Sequence, residues 1–130
     1  MIVDTSAVVA ILKEEPEAGE FLRGLTASGE PKRMSAANYL EAAIVVDANR
    51  NPLLSRRLDD LIVQAEIAVE PVTREQADIA RAAYRDFGKG SGHAAGFNFG
   101  DCFAYALAKS MREPLLFKGD DFSRTDVAIA

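Results

Sequence analysis

Apolar positions along the chain switch between the two-residue repeat of strands and the 3.6-residue repeat of helices, and each switch marks a predicted element. Met1 to Thr5 is short and rich in β-branched residues, which predicts a strand. The apolar run Ala7 to Leu12 predicts a helix that stops near Glu14-Glu15-Pro16, because proline disfavours helix in the residue before it. Helical spacing resumes over Glu17 to Leu25, with Ala18, Phe21, Leu22 and Leu25 on one face. Lys32 to Ser35 reads as a second strand. Two helices follow it, one from Ala36 to Ala48 and one from Pro52 or Ser55 to about Ala65, the latter with Leu54, Leu58, Leu61 and Ile62 turned inward. Ile67 to Val72 is a third strand candidate, and Thr73-Arg-Glu-Gln76 matches a capping box that opens a helix reaching about Phe87. Gly90, Gly92, Gly96 and Gly100 make Lys89 to Gly100 a loop. A helix from Asp101 to about Met111, a short strand from Leu115 to Lys118, a turn at Gly119-Asp120-Asp121 and an edge strand over Asp126 to Ile129 complete the reading.

Strands that alternate with helices imply a mainly parallel sheet with helices on both faces, since parallel strands need crossover connections. The fold class is therefore α/β, and such sheets bind ligands beyond the carboxyl ends of their strands. The 130 residues carry no repeat and no Pro/Gly/Ser-rich linker, so residues 1–130 read as a single domain. The longest uninterrupted apolar stretch, Cys102 to Ala108, is far short of the roughly 18 residues of a membrane span. Asp4 interrupts any leader-like start, so no signal peptide and a cytoplasmic location are expected. Cys102 is the only cysteine, which excludes an internal disulfide and a cysteine-based zinc cage. Any metal has to be held by oxygen. A net charge of -5 argues against a nucleic-acid binder held by bulk positive charge, but not against a nuclease whose acids gather at a metal site.

Several acids stand where chemistry can use them. Asp4 lies where the first strand leaves the sheet, although Asp-Thr-Ser before a helix also suits a cap. Glu41 shares a helical face with Ala37, Ile44, Val45 and Ala48, where an unpaired carboxylate is costly to bury. Asp101 opens a helix that is apolar on every side, a place that also suits a cap favoured by the helix dipole. Asp120 and Asp121 follow the last parallel strand at the same sheet edge as Asp4. Together, four segments each deliver a carboxylate to one rim. Hard divalent cations such as Mg2+ and Mn2+ take such ligands, and two of them activate water against a phosphodiester.

The segments Met-Ile-Val-Asp-Thr-Ser-Ala at Met1 to Ala7, Ser-Ala-Ala-Asn-Tyr-Leu-Glu at Ser35 to Glu41, Asn-Phe-Gly-Asp-Cys-Phe-Ala-Tyr-Ala at Asn98 to Ala106 and Leu-Leu-Phe-Lys-Gly-Asp-Asp-Phe at Leu115 to Phe122 resemble the PIN-domain VapC toxins. The resemblance spans almost the whole chain. It implies a PIN-like three-layer α/β/α sandwich and a Mg2+- or Mn2+-dependent endoribonuclease toxin acting on RNA, silenced by a VapB-like antitoxin that inserts a segment into the active-site groove. By position, Asp4, Glu41 and Asp101 match the family's acidic triad, and the fourth acid is Asp120, with Asp121 as the adjacent alternative.

Competing readings fail on particular residues. A receiver domain wants paired acids after its first strand, and a haloacid-dehalogenase-like phosphatase wants Asp-x-Asp, whereas Thr5 and Ser6 follow Asp4. Gly88-Lys-Gly-Ser-Gly lacks the order of a phosphate loop. His93 reads as a surface residue of the glycine-rich loop. Arg50, Arg56, Arg57, Arg81, Arg85, Lys89 and Arg112 are the cations available to RNA phosphates. The non-enzymatic alternative is a PIN-like module that only docks RNA or protein. A homodimer is expected as well, both from the resemblance and because Val8, Leu12, Phe21 and Leu25 offer more apolar helical surface than one sheet face covers.

Overall fold

Ile2 and Val3, neighbours on the first strand, are both fully buried, yet they belong to different cores. Successive strand residues point to opposite faces, so this one dipeptide anchors two layers of helices. In the computed structural model, which describes residues 1–27 and 29–130, the sheet has four strands: β1 (Ile2–Val3), β2 (Lys32–Ser35), β3 (Ile67–Glu70) and β4 (Leu115–Leu116). Their order is β3-β2-β1-β4 and every pairing is parallel, with Ile2 opposite both Arg33 and Leu115. The helices are α1 (Thr5–Leu12), α2 (Ala18–Ala27), α3 (Ala36–Asp47), α4 (Pro52–Gln64), α5 (Arg74–Phe87) and α6 (Phe99–Met111). Ile2 packs with Ala83 of α5, Tyr105 and Leu107 of α6, and Phe97 and Phe122. Val3 packs with Ala7 and Leu12 of α1, Leu25 of α2, Val46 of α3 and Leu58 of α4. The result is a three-layer α/β/α sandwich. Among the described residues no helix is long and apolar enough to cross a membrane.

Local chemistry sets the boundaries. Asn51 accepts a hydrogen bond from the Leu53 amide at 3.0 Å with Pro52 behind it, which starts α4 at Pro52 and not at Ser55. Thr73 caps α5 through the Gln76 amide at 3.1 Å. Strand β4 ends after two residues because the Lys118 amide leaves the sheet to meet the Ser6 hydroxyl at 2.9 Å. The expected edge strand over Asp126 to Ile129 reduces to one parallel bridge between Leu115 and Ile129. The loop after α5 is pinned by a bridge between Gly88 and Phe97. A Cβ on Gly88 would lie 2.0 Å from the Tyr84 carbonyl oxygen, so glycine is required there.

The apolar surface expected on the early helices is internal. Val8, Leu12 and Leu25 are buried and Phe21 is half-buried, because α1 packs against α2, α3 and α4 as well as the sheet. Of the large apolar side chains left exposed, Leu22 lies on α2 and Leu53 and Val63 on α4, while Leu40 and Ile44 on α3 are 58% and 60% exposed and Phe99 on α6 is 77% exposed.

Candidate active site

The chain leaves the sheet at Asp4, at the end of β1, an inner strand that lies between β2 and the edge strand β4. The Asp4 amide donates to the Leu116 carbonyl at 3.0 Å, so the backbone is still in the sheet while the side chain starts a helix. Its Oδ2 accepts from the Ser6 amide at 3.0 Å and from the Ser6 hydroxyl at 2.6 Å. Asp4 therefore caps α1, and α1 begins at Thr5, two residues earlier than hydrophobic spacing suggested. The same Ser6 oxygen accepts from Lys118, tying Asp4 to the chain that leaves β4. Asp4 is buried, and that burial pushes its carboxyl up to about 6 from the usual 3.8; the Ser6 bonds oppose the shift and the charge of Glu41 adds to it.

Glu41 comes from α3 and is half-buried. The core-facing positions of α3 are Asn38, Ala42 and Val46, so the face that Glu41 shares with Ile44 and Ala48 points toward solvent. Its carboxylate rests on Gly100 of α6: a Cβ built there would lie 2.2 Å from Oε2. Asn38 is fully buried beside it, its Nδ2 donating to the Gly100 carbonyl at 3.0 Å and approaching Glu41 Oε1 at 3.5 Å. The Thr5 hydroxyl donates to the Asn38 carbonyl at 3.0 Å. Three helices thus meet at this point.

Asp101 is the third residue of α6, and the cap is Asn98. Their bonds are reciprocal: the Asp101 amide donates to Asn98 Oδ1 and the Asn98 amide donates to Asp101 Oδ2, both at 2.9 Å. Asp101 is half-buried, and desolvation pushes it up to about 7; the Asn98 amide restrains it, while the charges of Asp4 and Asp121 raise it further. Asp121 lies near enough to Asp101 to raise its carboxyl. Asp120 is exposed, and its backbone carbonyl accepts from the Ser123 hydroxyl at 2.7 Å. Gly119, at φ +102°, makes the turn that leads into these two neighbours, and Asp121 is exposed as well.

The acids interact in pairs, Asp4 with Glu41 and Asp101 with both Asp4 and Asp121. Among the described residues no three Asp, Glu, His or Cys side chains form a ready-made ligand cage. Like-charged carboxylates repel, and Mg2+ keeps several waters and asks only one or two carboxylates of a protein. The donor set is oxygen throughout. His93 is exposed, with its Nδ1 accepting from the Ala95 amide at 3.0 Å, and Cys102 is buried with its thiol pushed up to about 11 by desolvation. These residues fit a hard divalent cation. The cations named from sequence are all exposed; Arg57 pairs with Glu14 and Arg85 with Asp86. Sequence reasoning gave Asn38 and Asn98 no role of their own and took Gly100 only as a loop residue, although the three-residue spacing of Asn98 and Asp101 is that of a helix cap.

Residues 1–128 match the PIN domain family. Ribonuclease VapC28 of Mycobacterium tuberculosis (strain ATCC 25618 / H37Rv) is 59% identical over 127 residues, covering 98% of this chain and 95% of that protein. Ribonuclease VapC of Mycolicibacterium smegmatis (strain ATCC 700084 / mc(2)155) is 52% identical over 128 residues, covering 98% of each. Among solved structures, the fold is similar to that of Mycobacterium tuberculosis VapC20, described as a sarcin-ricin loop cleaving toxin, with a TM-score of 0.75 at 16% identity over 99% of this chain and 97% of that one. A toxin-antitoxin complex from Klebsiella pneumoniae gives a TM-score of 0.72 at 14% identity over 99% and 95%.

Proposed function

This chain belongs to the PIN-domain family, among relatives named VapC ribonucleases, and on that premise we propose that it is a Mg2+- or Mn2+-dependent endoribonuclease, the toxin of a toxin-antitoxin pair. The observation that carries the reading is the electrostatic one: Asp4 and Asp101, from different elements, are desolvated, Asp4 feels the charge of Glu41 and Asp101 that of Asp4, and burial pushes their carboxyls to about 6 and about 7. An arrangement that penalises its own anions is compensated by a cation.

Asp4, Glu41 and Asp101 would hold the cation, joined by an acid of the turn after β4, Asp121, which acts on Asp101, or its neighbour Asp120. Bound there, a divalent ion supplies Lewis acidity toward a phosphodiester oxygen and acidifies attacking water. The chain's own residues do the positioning. Ser6 fixes the Asp4 rotamer through two bonds to one oxygen, which leaves the other carboxylate oxygen available. Asn98 fixes Asp101 in the same way at the start of α6. The substrate is RNA, and the partner that silences the site is a VapB-like antitoxin whose segment covers these acids. A second copy of the chain covers Leu40, Ile44 and Phe99, which are too apolar and too close together to suit water. The test is cleavage of a panel of structured and single-stranded RNAs by purified, antitoxin-free protein, in Mg2+ or Mn2+ against EDTA, with Asp4→Asn and Asp101→Asn as controls.

A further inference from the structure

We propose that Asn38 is a positioning residue for Glu41, and that residue 100 is glycine because the Glu41 carboxylate occupies the space a side chain would take; the proposal rests on the metal-nuclease reading above. Asn38 is fully buried on the core face of α3. Its carboxamide faces the Gly100 carbonyl at 3.0 Å, and a carbonyl only accepts, so the NH2 group has to be on that side. The same nitrogen lies 3.5 Å from Glu41 Oε1. That orientation leaves Asn38 Oδ1 buried without a partner, a cost that an apolar residue of similar size avoids. The fold keeps this cost while gaining a link from α3 to the residue before Asp101.

Gly100 completes the arrangement from the other side. A Cβ there would lie 2.2 Å from Glu41 Oε2, 2.7 Å from Oε1 and 2.8 Å from Cδ. Glu41 is therefore seated against the first turn of α6, where unpaired amides and the helix dipole favour an anion. Its position relative to Asp101 is set by Asn38 on one side and by the bare Gly100 on the other. Metal sites respond to displacements of about half an ångström, so these two residues set affinity without touching the ion.

The experiment uses Asn38→Leu and Gly100→Ala in the full chain, with Mn2+ binding followed by electron paramagnetic resonance, melting in EDTA, and cleavage as a function of Mn2+ concentration. Leucine removes both the donor and the unpartnered acceptor, and alanine at a helix start suits the backbone while displacing only the tip of Glu41. Both variants are expected to melt within a few degrees of wild type, to bind Mn2+ about tenfold more weakly and to need correspondingly more Mn2+ for half-maximal cleavage. Wild-type Mn2+ affinity in either folded variant overturns the proposal. Should Asn38→Leu fail to fold, Gly100→Ala decides alone, since a purely structural glycine next to a flexible carboxylate predicts unchanged Mn2+ binding. A wild-type protein that neither binds Mn2+ nor cleaves RNA overturns the nuclease reading and this proposal with it. Wild-type binding that both variants share overturns only the proposal.

Discussion

Asp101 and Asn98 hold each other by two hydrogen bonds of equal length, 2.9 Å, one in each direction. One side of that exchange satisfies the start of α6; the other fixes the rotamer of the acid that the site needs. Asn98→Ala is expected to cost about 1 kcal/mol of stability through the lost cap. It should leave cleavage nearly unchanged at temperatures where the variant is fully folded, because the bond to the Asp101 carboxylate comes from the backbone amide of residue 98, which alanine keeps. Asn98→Ser, which can still cap, should restore the stability. Melting curves and initial rates on the same preparations check this.

The raised carboxyl of Asp4 makes a signed statement about pH. A group whose folded pKa, about 6, lies above its ordinary 3.8 favours folding most at acid pH and loses that contribution as pH rises through 6. In EDTA, Asp4→Asn should therefore be more stable than wild type near pH 8, by on the order of 3 kcal/mol, and indistinguishable from it near pH 4. Mn2+ affinity of the wild type should increase over the same rise, since protons compete with the ion for Asp4 and Asp101. A stability difference that stays flat with pH would contradict the burial argument.

The exposed apolar surface on α3 and α6 makes its own prediction. Ile44→Glu places a charge on a side chain that is 60% exposed and far from the core face of α3. It should leave folding intact and convert a two-fold assembly to the 14.0 kDa monomer in light scattering at micromolar concentration. A wild type that is itself monomeric there removes the assembly claim.

The alternation of strands and helices was legible because several helices begin or end at a cap or breaker that the sequence displays, as at Thr73 and Pro52. The ends of β1 and α1 were less so, since Asp4 is at once the last residue bonded into the sheet and the first cap of the helix. The inward face of α3 was misread for a different reason. That helix is apolar on nearly every side, so periodicity cannot select a face, and the buried position is taken by Asn38 while Ile44 is exposed. Glu41 was consequently expected on a buried face, whereas it sits half-buried at the rim. For the adjacent Asp120 and Asp121, the resemblance favoured Asp120 and both side chains are exposed, but it is the charge of Asp121 that raises the Asp101 carboxyl, a relation no sequence pattern displays.

The central claim is that the buried acids exist to hold a cation for phosphodiester cleavage. Its most direct measurement is the Mn2+-dependent cleavage of an RNA panel by the wild type and by Asp101→Asn, each shown to be folded and free of antitoxin. The account predicts cleavage by the wild type that EDTA abolishes and Mn2+ restores, and a loss of at least about a hundredfold in the variant, the scale on which removing one charge-stabilising group acts. Equal cleavage by wild type and Asp101→Asn, or cleavage indifferent to EDTA, would contradict it.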